Sequence, residues 1–279
     1  MLKSSDFATI HFLQTPTEKL AYRCILTDPS FPTLFFIHGN MTSSYIWITM
    51  EPLKSKYNLI CPDLRGFGHS SYNKPINGLE DYCDDLSELL TFLQIKKTFV
   101  IGFSLGGTVS LSFCAKYNEI VNGLILIGSV GIKGYFFERE DFQGKMIKEK
   151  MPDKETLEKE PMTVSFIMCL QTKNHEFLKS IFENLLFNVG RKVSDEVLKT
   201  MVDEGLLQKN CLDSLWALNI YNISDSYNGI SMGSNEIEKI NCPNFLIHGS
   251  KDIVIPTKES VETFNAAKSQ RKKIEILKD

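Results

Sequence analysis

Five short, almost unbroken apolar runs constrain this chain more than any other feature: PTLFFIHG (32–39), YNLICPDL (57–64), TFVIGFS (98–104), NGLILIGS (122–129) and NFLIHGS (244–250). A strand buried on both faces reads as such a run, whereas a half-solvated strand alternates apolar with polar residues. The segments between the first four runs have a different character. Residues 45–56 and 105–117 read as helices, and 81–93 places Tyr82, Leu86, Leu89, Leu90 and Leu93 at helical spacing. Buried strands alternating with helices require right-handed crossovers, so the chain is predicted to be an α/β protein built on a mostly parallel sheet with helices on both faces. Residues 6–14 and 19–27, joined by the turn Thr15–Glu18, add an antiparallel hairpin at one margin. A helix near 257–269 and a strand at 272–278 close the pattern.

The rhythm stops between 131 and 235, a stretch rich in Lys, Glu, Met and Phe that reads as helices without strand signals. Two parts are expected: a sheet core made of 1–130 and 236–279, and a helical cap, 131–235, inserted between two of its strands. Composition narrows the function. A 43% hydrophobic content excludes a disordered chain, and no 18-residue apolar run exists to span a bilayer. With 31 basic against 34 acidic residues there is no electrostatic footprint for nucleic acid. The start, Met1–Ile10, lacks the basic and apolar regions of a secretory signal. The seven cysteines stand singly, with no CxxC pair, which predicts free thiols in a reducing, cytoplasmic setting, with Cys61 and Cys114 packed in the core. No metal-ligand cluster, dinucleotide fingerprint or cofactor-lysine motif is present, so neither metal nor cofactor is expected.

Chemistry concentrates at Gly102–Phe103–Ser104–Leu105–Gly106–Gly107, a G-x-S-x-G pattern between a buried strand and a helix. A nucleophile pushed out of so tight a turn takes a strained backbone that brings the residues two before and two after it together, and only small residues fit there. The helix that follows points its free N–H groups at the serine. The spacing of a phosphate-binding loop, G-x-x-x-x-G-K-[ST], is absent.

With this elbow the chain resembles the α/β-hydrolase fold family. Three further segments carry the resemblance in the family's order: His38–Gly39–Asn40, the run Asp63–Leu64–Arg65–Gly66–Phe67–Gly68–His69–Ser70, and His248–Gly249–Ser250–Lys251–Asp252. The resemblance implies Ser104 as nucleophile, Asp252 as the acid that orients a histidine, and the backbone N–H groups of Leu105 and Asn40 (Met41 as a near alternative) as oxyanion donors. Each such donor lowers the barrier by roughly 3–4 kcal/mol. His38 itself is expected to be a satisfied structural histidine. Asp63 and Arg65 are expected to be ion partners and not catalysts, and Asp252 could alternatively cap the turn that follows it. HGNMTSSYIW also resembles the equivalent stretch of haloalkane dehalogenases, but those use a carboxylate nucleophile where this chain has Ser104.

The third triad member is missing. The resemblance places a histidine after the last strand, yet the five histidines are at 11, 38, 69, 175 and 248, all before Asp252. His248, four residues ahead of Asp252, is the nearest substitute. Removing the base from a working triad costs on the order of a millionfold in kcat, roughly 8 kcal/mol. The 279 residues are therefore expected to be nearly inactive by themselves, and a last strand without its covering helix should expose an apolar face. The apolar residues of 161–187 are expected to pack the cap, and some of them to form a channel over Ser104; Trp216 and Tyr221 are candidate pocket residues. The expected function is hydrolysis of carboxylic esters or related acyl bonds of hydrophobic small molecules. The alternative is a catalytically inactive module that keeps the pocket to bind a ligand or partner.

Overall fold

Residues 6–140, 143, 145–187 and 193–278 are described by the computed structural model. The first half of the chain runs β1 (His11–Gln14), β2 (Lys19–Ile25), β3 (Thr33–Ile37), a 3-10 helix (Ser44–Ser55), β4 (Asn58–Pro62), α1 (Glu80–Phe92), β5 (Thr98–Phe103), α2 (Leu105–Lys116) and β6 (Val121–Ile127). An insert follows, with β7 (Phe137–Glu140), β8 (Met146–Glu149), α3 (Lys154–Glu158), α4 (Pro161–Thr172), α5 (His175–Ile181), a π-helical turn (Phe182–Leu186), α6 (Asp195–Gly205) and α7 (Cys211–Ile220). The chain then returns through β9 (Asn244–Gly249), α8 (Thr257–Ala266) and β10 (Lys272–Leu277).

Eight strands form one sheet in the order β1-β2-β4-β3-β5-β6-β9-β10. The β1–β2 and β2–β4 pairs are antiparallel and every other pair is parallel, as the hairpin and the apolar runs predict. Side chains alternate between the two faces. Phe35, Ile37, Val100, Leu124, Leu126 and Leu246 pack on one face with α1, α2 and α8. Phe36, Leu59, Cys61 and Ile101 lie on the other, under Trp47 of the 3-10 helix. Each fully buried side chain of this size contributes about 1.5–3 kcal/mol. The second face is covered unevenly. Over β6 and β9 the side chains of Ile125, Ile127, Phe245 and Ile247 are only half-buried, and Leu277 on β10 is 50% exposed.

The helix expected at 45–56 is present as a 3-10 helix, with Pro52 inside it. One local expectation is corrected: the insert is not all helical, because β7 and β8 pair as an antiparallel hairpin. Strands of four residues are too short to register a period in sequence. The cysteines are free, and Cys61 and Cys114 are buried as expected. Among the described residues no helix is long and apolar enough to cross a membrane.

The insert has an apolar cluster of its own, centred on Leu157, Leu170, Leu178, Phe182, Met201 and Leu215. It is joined to the sheet by buried polar bonds. Arg23 of β2 donates to Glu204 of α6 (2.6 Å) and to Ser44 (2.6 Å), while Ser43 donates to the second Glu204 oxygen (2.7 Å). Burial pushes the Glu204 carboxyl up, but His69, Arg23 and Ser43 outweigh it and hold the group below its ordinary value. Breaking a buried ion pair from one side leaves an uncompensated charge. Glu204→Ala is therefore expected to lose about 3–5 kcal/mol, read from the urea midpoint, and the paired change Arg23→Met with Glu204→Leu to recover most of that loss.

Candidate active site

The peptide turns sharply where β5 meets α2. Ser104 stands between them with φ +54° and ψ −121°, a backbone conformation that costs a non-glycine residue of order 1–3 kcal/mol. Its N–H donates to Ile127 (3.2 Å), and its carbonyl accepts from Gly107 (3.0 Å) and Val130 (3.4 Å), which ties the turn to the end of β6. The glycines are needed for clearance. A Cβ on Gly102 would lie 2.4 Å from the Gly106 carbonyl oxygen, and one on Gly106 would lie 2.3 Å from the carbonyl oxygens of Ile37 and His38. Ser104 is half-buried and lines a cavity of about 740 Å³, a volume that includes its open mouth.

The cavity wall is largely apolar. Met162, Phe166, Ile181 and Leu185 come from the insert, Leu215 and Leu218 from α7, and Val130 and Val254 from loops at the sheet end. The residues of 161–187 thus divide as expected, some packing the insert and some facing the cavity. Trp216 and Tyr221 do not line it. Tyr221 is buried against α2, near the Ser112 hydroxyl (3.2 Å) and the Thr108 carbonyl (3.4 Å), and Trp216 packs within the insert. Their neighbours on the same helix, Leu215 and Leu218, take that place.

After β3 the loop passes His38, whose ring is fully buried. Its Nδ1 lies 2.8 Å from the Gly39 carbonyl, and Nε2 accepts the Leu64 N–H at 3.0 Å. Burial pushes this imidazole's pKa down, and an Nε2 that accepts a backbone N–H gives the ring a structural role. Asn40 borders the cavity, and among the described residues nothing accepts from its N–H or from that of Leu105. Met41, the alternative donor, is engaged: its N–H donates to Gln208 Oε1 at 3.0 Å. Gln208 Nε2 also donates to Asn40 Oδ1 (2.9 Å), which lies 3.3 Å from Ser214 Oγ. Sequence reasoning missed Gln208 and Ser214; the only sign was the polar run Gln208–Lys209–Asn210 between α6 and α7.

Asp252 follows β9, and its Oδ2 lies 3.5 Å from the position a Cβ on Gly128 would take, at the end of β6. Its two oxygens have different partners. Oδ1 accepts the N–H groups of Val254 (2.9 Å) and Ile255 (2.8 Å), so it caps the turn. Oδ2 lies 3.3 Å from His248 Nε2. His248 nevertheless points into the protein. Its Nδ1 is 2.7 Å from Ser260 Oγ and its Nε2 2.8 Å from the Ile255 carbonyl. The remaining histidines lie elsewhere: His11 stacks on Tyr22, His69 is near Glu204 and His175 near Asp203. None of the five lines the cavity. Arg65 is an ion partner, forked onto Asp85 at 2.8 and 2.6 Å. Asp63 instead accepts the backbone N–H groups of Ser44 and His69.

Burial pushes His248 down, but Asp252 and the Ile255 carbonyl outweigh it and raise its pKa above the ordinary 6.5. Burial pushes Asp252 up, but His248 and the two backbone N–H groups bring it below the ordinary 3.8. The pair therefore stabilises the fold fully between pH 3.8 and 6.5. That stabilisation fades as pH rises through the folded-state pKa of His248 or falls through that of Asp252. Asp252→Asn removes the carboxylate that raises the His248 pKa, so NMR titration of that ring is expected to show the pKa dropping relative to the parent protein.

Against known proteins, the chain matches the family model of the alpha/beta hydrolase fold over residues 32–278. It is 31% identical over 102 residues to an uncharacterized protein of Mycobacterium tuberculosis, a match covering 36% of this chain but only 30% of that protein. A pimeloyl-[acyl-carrier protein] methyl ester esterase of Wigglesworthia glossinidia brevipalpis is 26% identical over 251 residues, covering 85% of this chain and 83% of the esterase. Among solved structures, a hydrolase from Pseudomonas aeruginosa superposes with a TM-score of 0.70 at 17% identity, over 98% of this chain and 91% of that one. The sheet order, the turn at Ser104 and a family match spanning nearly the whole chain agree: this protein belongs to the α/β-hydrolase fold family.

Proposed function

We propose that this protein is a serine hydrolase of carboxylic esters or related acyl bonds in hydrophobic small molecules. The observation that carries the reading is Ser104, held at a strained strand-to-helix turn with its side chain at an apolar cavity. In this reading the Ser104 hydroxyl attacks the acyl carbonyl. The N–H groups of Asn40 and Leu105, which have no partner among the described residues, donate to the oxyanion, aided by the α2 N-terminus. The apolar wall takes the hydrophobic part of the substrate, with the insert acting as a lid that excludes water. The esterase relative supports an ester substrate.

Asp252 would orient the imidazole that takes the Ser104 proton, its Oδ2 being the oxygen not used by the turn. That imidazole is proposed to come from outside these 279 residues, because His38 and His248 have both ring nitrogens engaged and no histidine reaches the cavity. The same observation favours a second reading, a binding protein that keeps the pocket without turnover.

One set of measurements separates the two. With imidazole supplied in place of the base, a fluorophosphonate probe is expected to label Ser104, and Ser104→Ala to abolish the labelling; unchanged labelling in the alanine variant would remove the assignment. Turnover of p-nitrophenyl butyrate is expected to be about a millionfold below that of a complete triad and to rise, with saturation, when imidazole is added. Saturable binding of the ester without imidazole-dependent turnover would establish the binding reading instead.

A further inference from the structure

The loop after β3 is shaped by a side chain 168 residues away. Gln208 sits at the corner between α6 and α7, is 4% exposed, and uses both ends of its amide on adjoining residues of that loop. Its Oε1 accepts the Met41 N–H, and its Nε2 donates to the Asn40 side-chain oxygen while lying 3.2 Å from Asn210 Oδ1. Met41 takes φ +56°, a conformation that L-residues hold only when their surroundings enforce it. The corner presses on the loop a second time. A Cβ on Gly205 would stand 2.5 Å from the Met41 carbonyl oxygen, so only glycine lets α6 end there.

The corner is itself anchored on both sides of Gln208. Glu204 is paired with Arg23. The Lys209 N–H donates to the Gly66 carbonyl (2.7 Å), and Asn210 Nδ2 donates to the Arg65 carbonyl and to the Tyr82 hydroxyl, both at 2.8 Å. The Gln208 amide is thus presented from a fixed frame. Asn40 is held by its side-chain oxygen on one side and by the next peptide on the other, which restricts the backbone that carries its own N–H.

We infer that Gln208 is a positioning residue that sets the direction of the Asn40 oxyanion donor, so that the oxyanion site depends on the 205–210 corner of the insert. The inference rests on the hydrolase reading above, and its test is arranged to separate the two. Gln208→Leu removes both hydrogen bonds at similar volume. Gln208→Glu keeps the acceptor for Met41 but sets a carboxylate oxygen against Asn40 Oδ1 until it is protonated.

In imidazole-supported turnover of p-nitrophenyl butyrate, Gln208→Leu is expected to lower kcat about 10- to 100-fold, less than the loss of a whole donor, with KM within threefold. Amide hydrogen exchange at Met41, followed by NMR, is expected to accelerate at least tenfold in Gln208→Leu and to remain slow in Gln208→Glu. For Gln208→Glu, kcat relative to the parent is expected to climb as pH falls and the donor is restored, a signature that a purely structural role would not give. Unchanged Met41 exchange in Gln208→Leu overturns the inference, as does faster exchange with unaltered kcat. If the parent chain shows no imidazole-supported turnover while Met41 exchange still accelerates in Gln208→Leu, the hydrolase reading falls and the clamp on the loop stands.

Discussion

The left-handed turn at Ser104 is the constraint on which the rest of the structure depends. It stores about 1–3 kcal/mol of strain, and it persists because the surroundings leave no relaxed alternative. The Ser104 N–H and carbonyl are bonded to the end of β6 and to the start of α2, and Gly106 lies against the carbonyls that end β3. Relaxing the turn would therefore require moving three adjacent strands, β3, β5 and β6, in the middle of the sheet. The same closeness brings the loop at Asn40 beside the serine: a Cβ on Gly39 would lie 3.1 Å from Ser104 Cβ. Turn, loop and helix N-terminus form one construction.

The insert meets this construction in two chemically different ways. Directional polar bonds gather at the corner of Glu204, Gln208, Lys209 and Asn210, where partners and distances are fixed. The wall over the serine, from α4, α5 and the π-helical turn, is made of Met162, Phe166, Ile181, Phe182 and Leu185, whose contacts have no preferred direction. Geometry that aims a hydrogen-bond donor needs the first kind of contact. The second kind adapts to different shapes at little cost.

Much of this was legible in the sequence because it rests on local pattern. The buried strands announced themselves as apolar runs, α1 by the spacing of Tyr82, Leu86, Leu89 and Leu90, and the elbow by two glycines around a serine. What escaped had no local pattern to carry it. The hairpin β7–β8 has four residues per strand, and the choice of Leu215 and Leu218 over Trp216 and Tyr221 depends on how α7 is rotated against the sheet. Gln208 matters only through its distant partners. Asp252 was ambiguous between cap and acid; one oxygen caps the turn and the other faces the buried His248.

The far margin of the sheet carries one more consequence. β10 is an outermost strand, and its residues are Lys272, Lys273, Ile274, Glu275, Ile276 and Leu277. Desolvating those lysines and that glutamate opposes edge-to-edge growth with another molecule, the protection that outer strands require. The neighbouring stripe of Ile125, Phe245 and Ile247 shares this guard, because Lys273 stands over the Phe245 ring, 4.9 Å from Nζ to the ring centre, and pairs with Glu275 on the same face. Sulfate and other excluded cosolutes strengthen contact between apolar surfaces. Face-to-face contact across this stripe would have to displace the Lys273 ammonium and its Glu275 partner, so the charges of β10 oppose salting-out association as well as edge pairing.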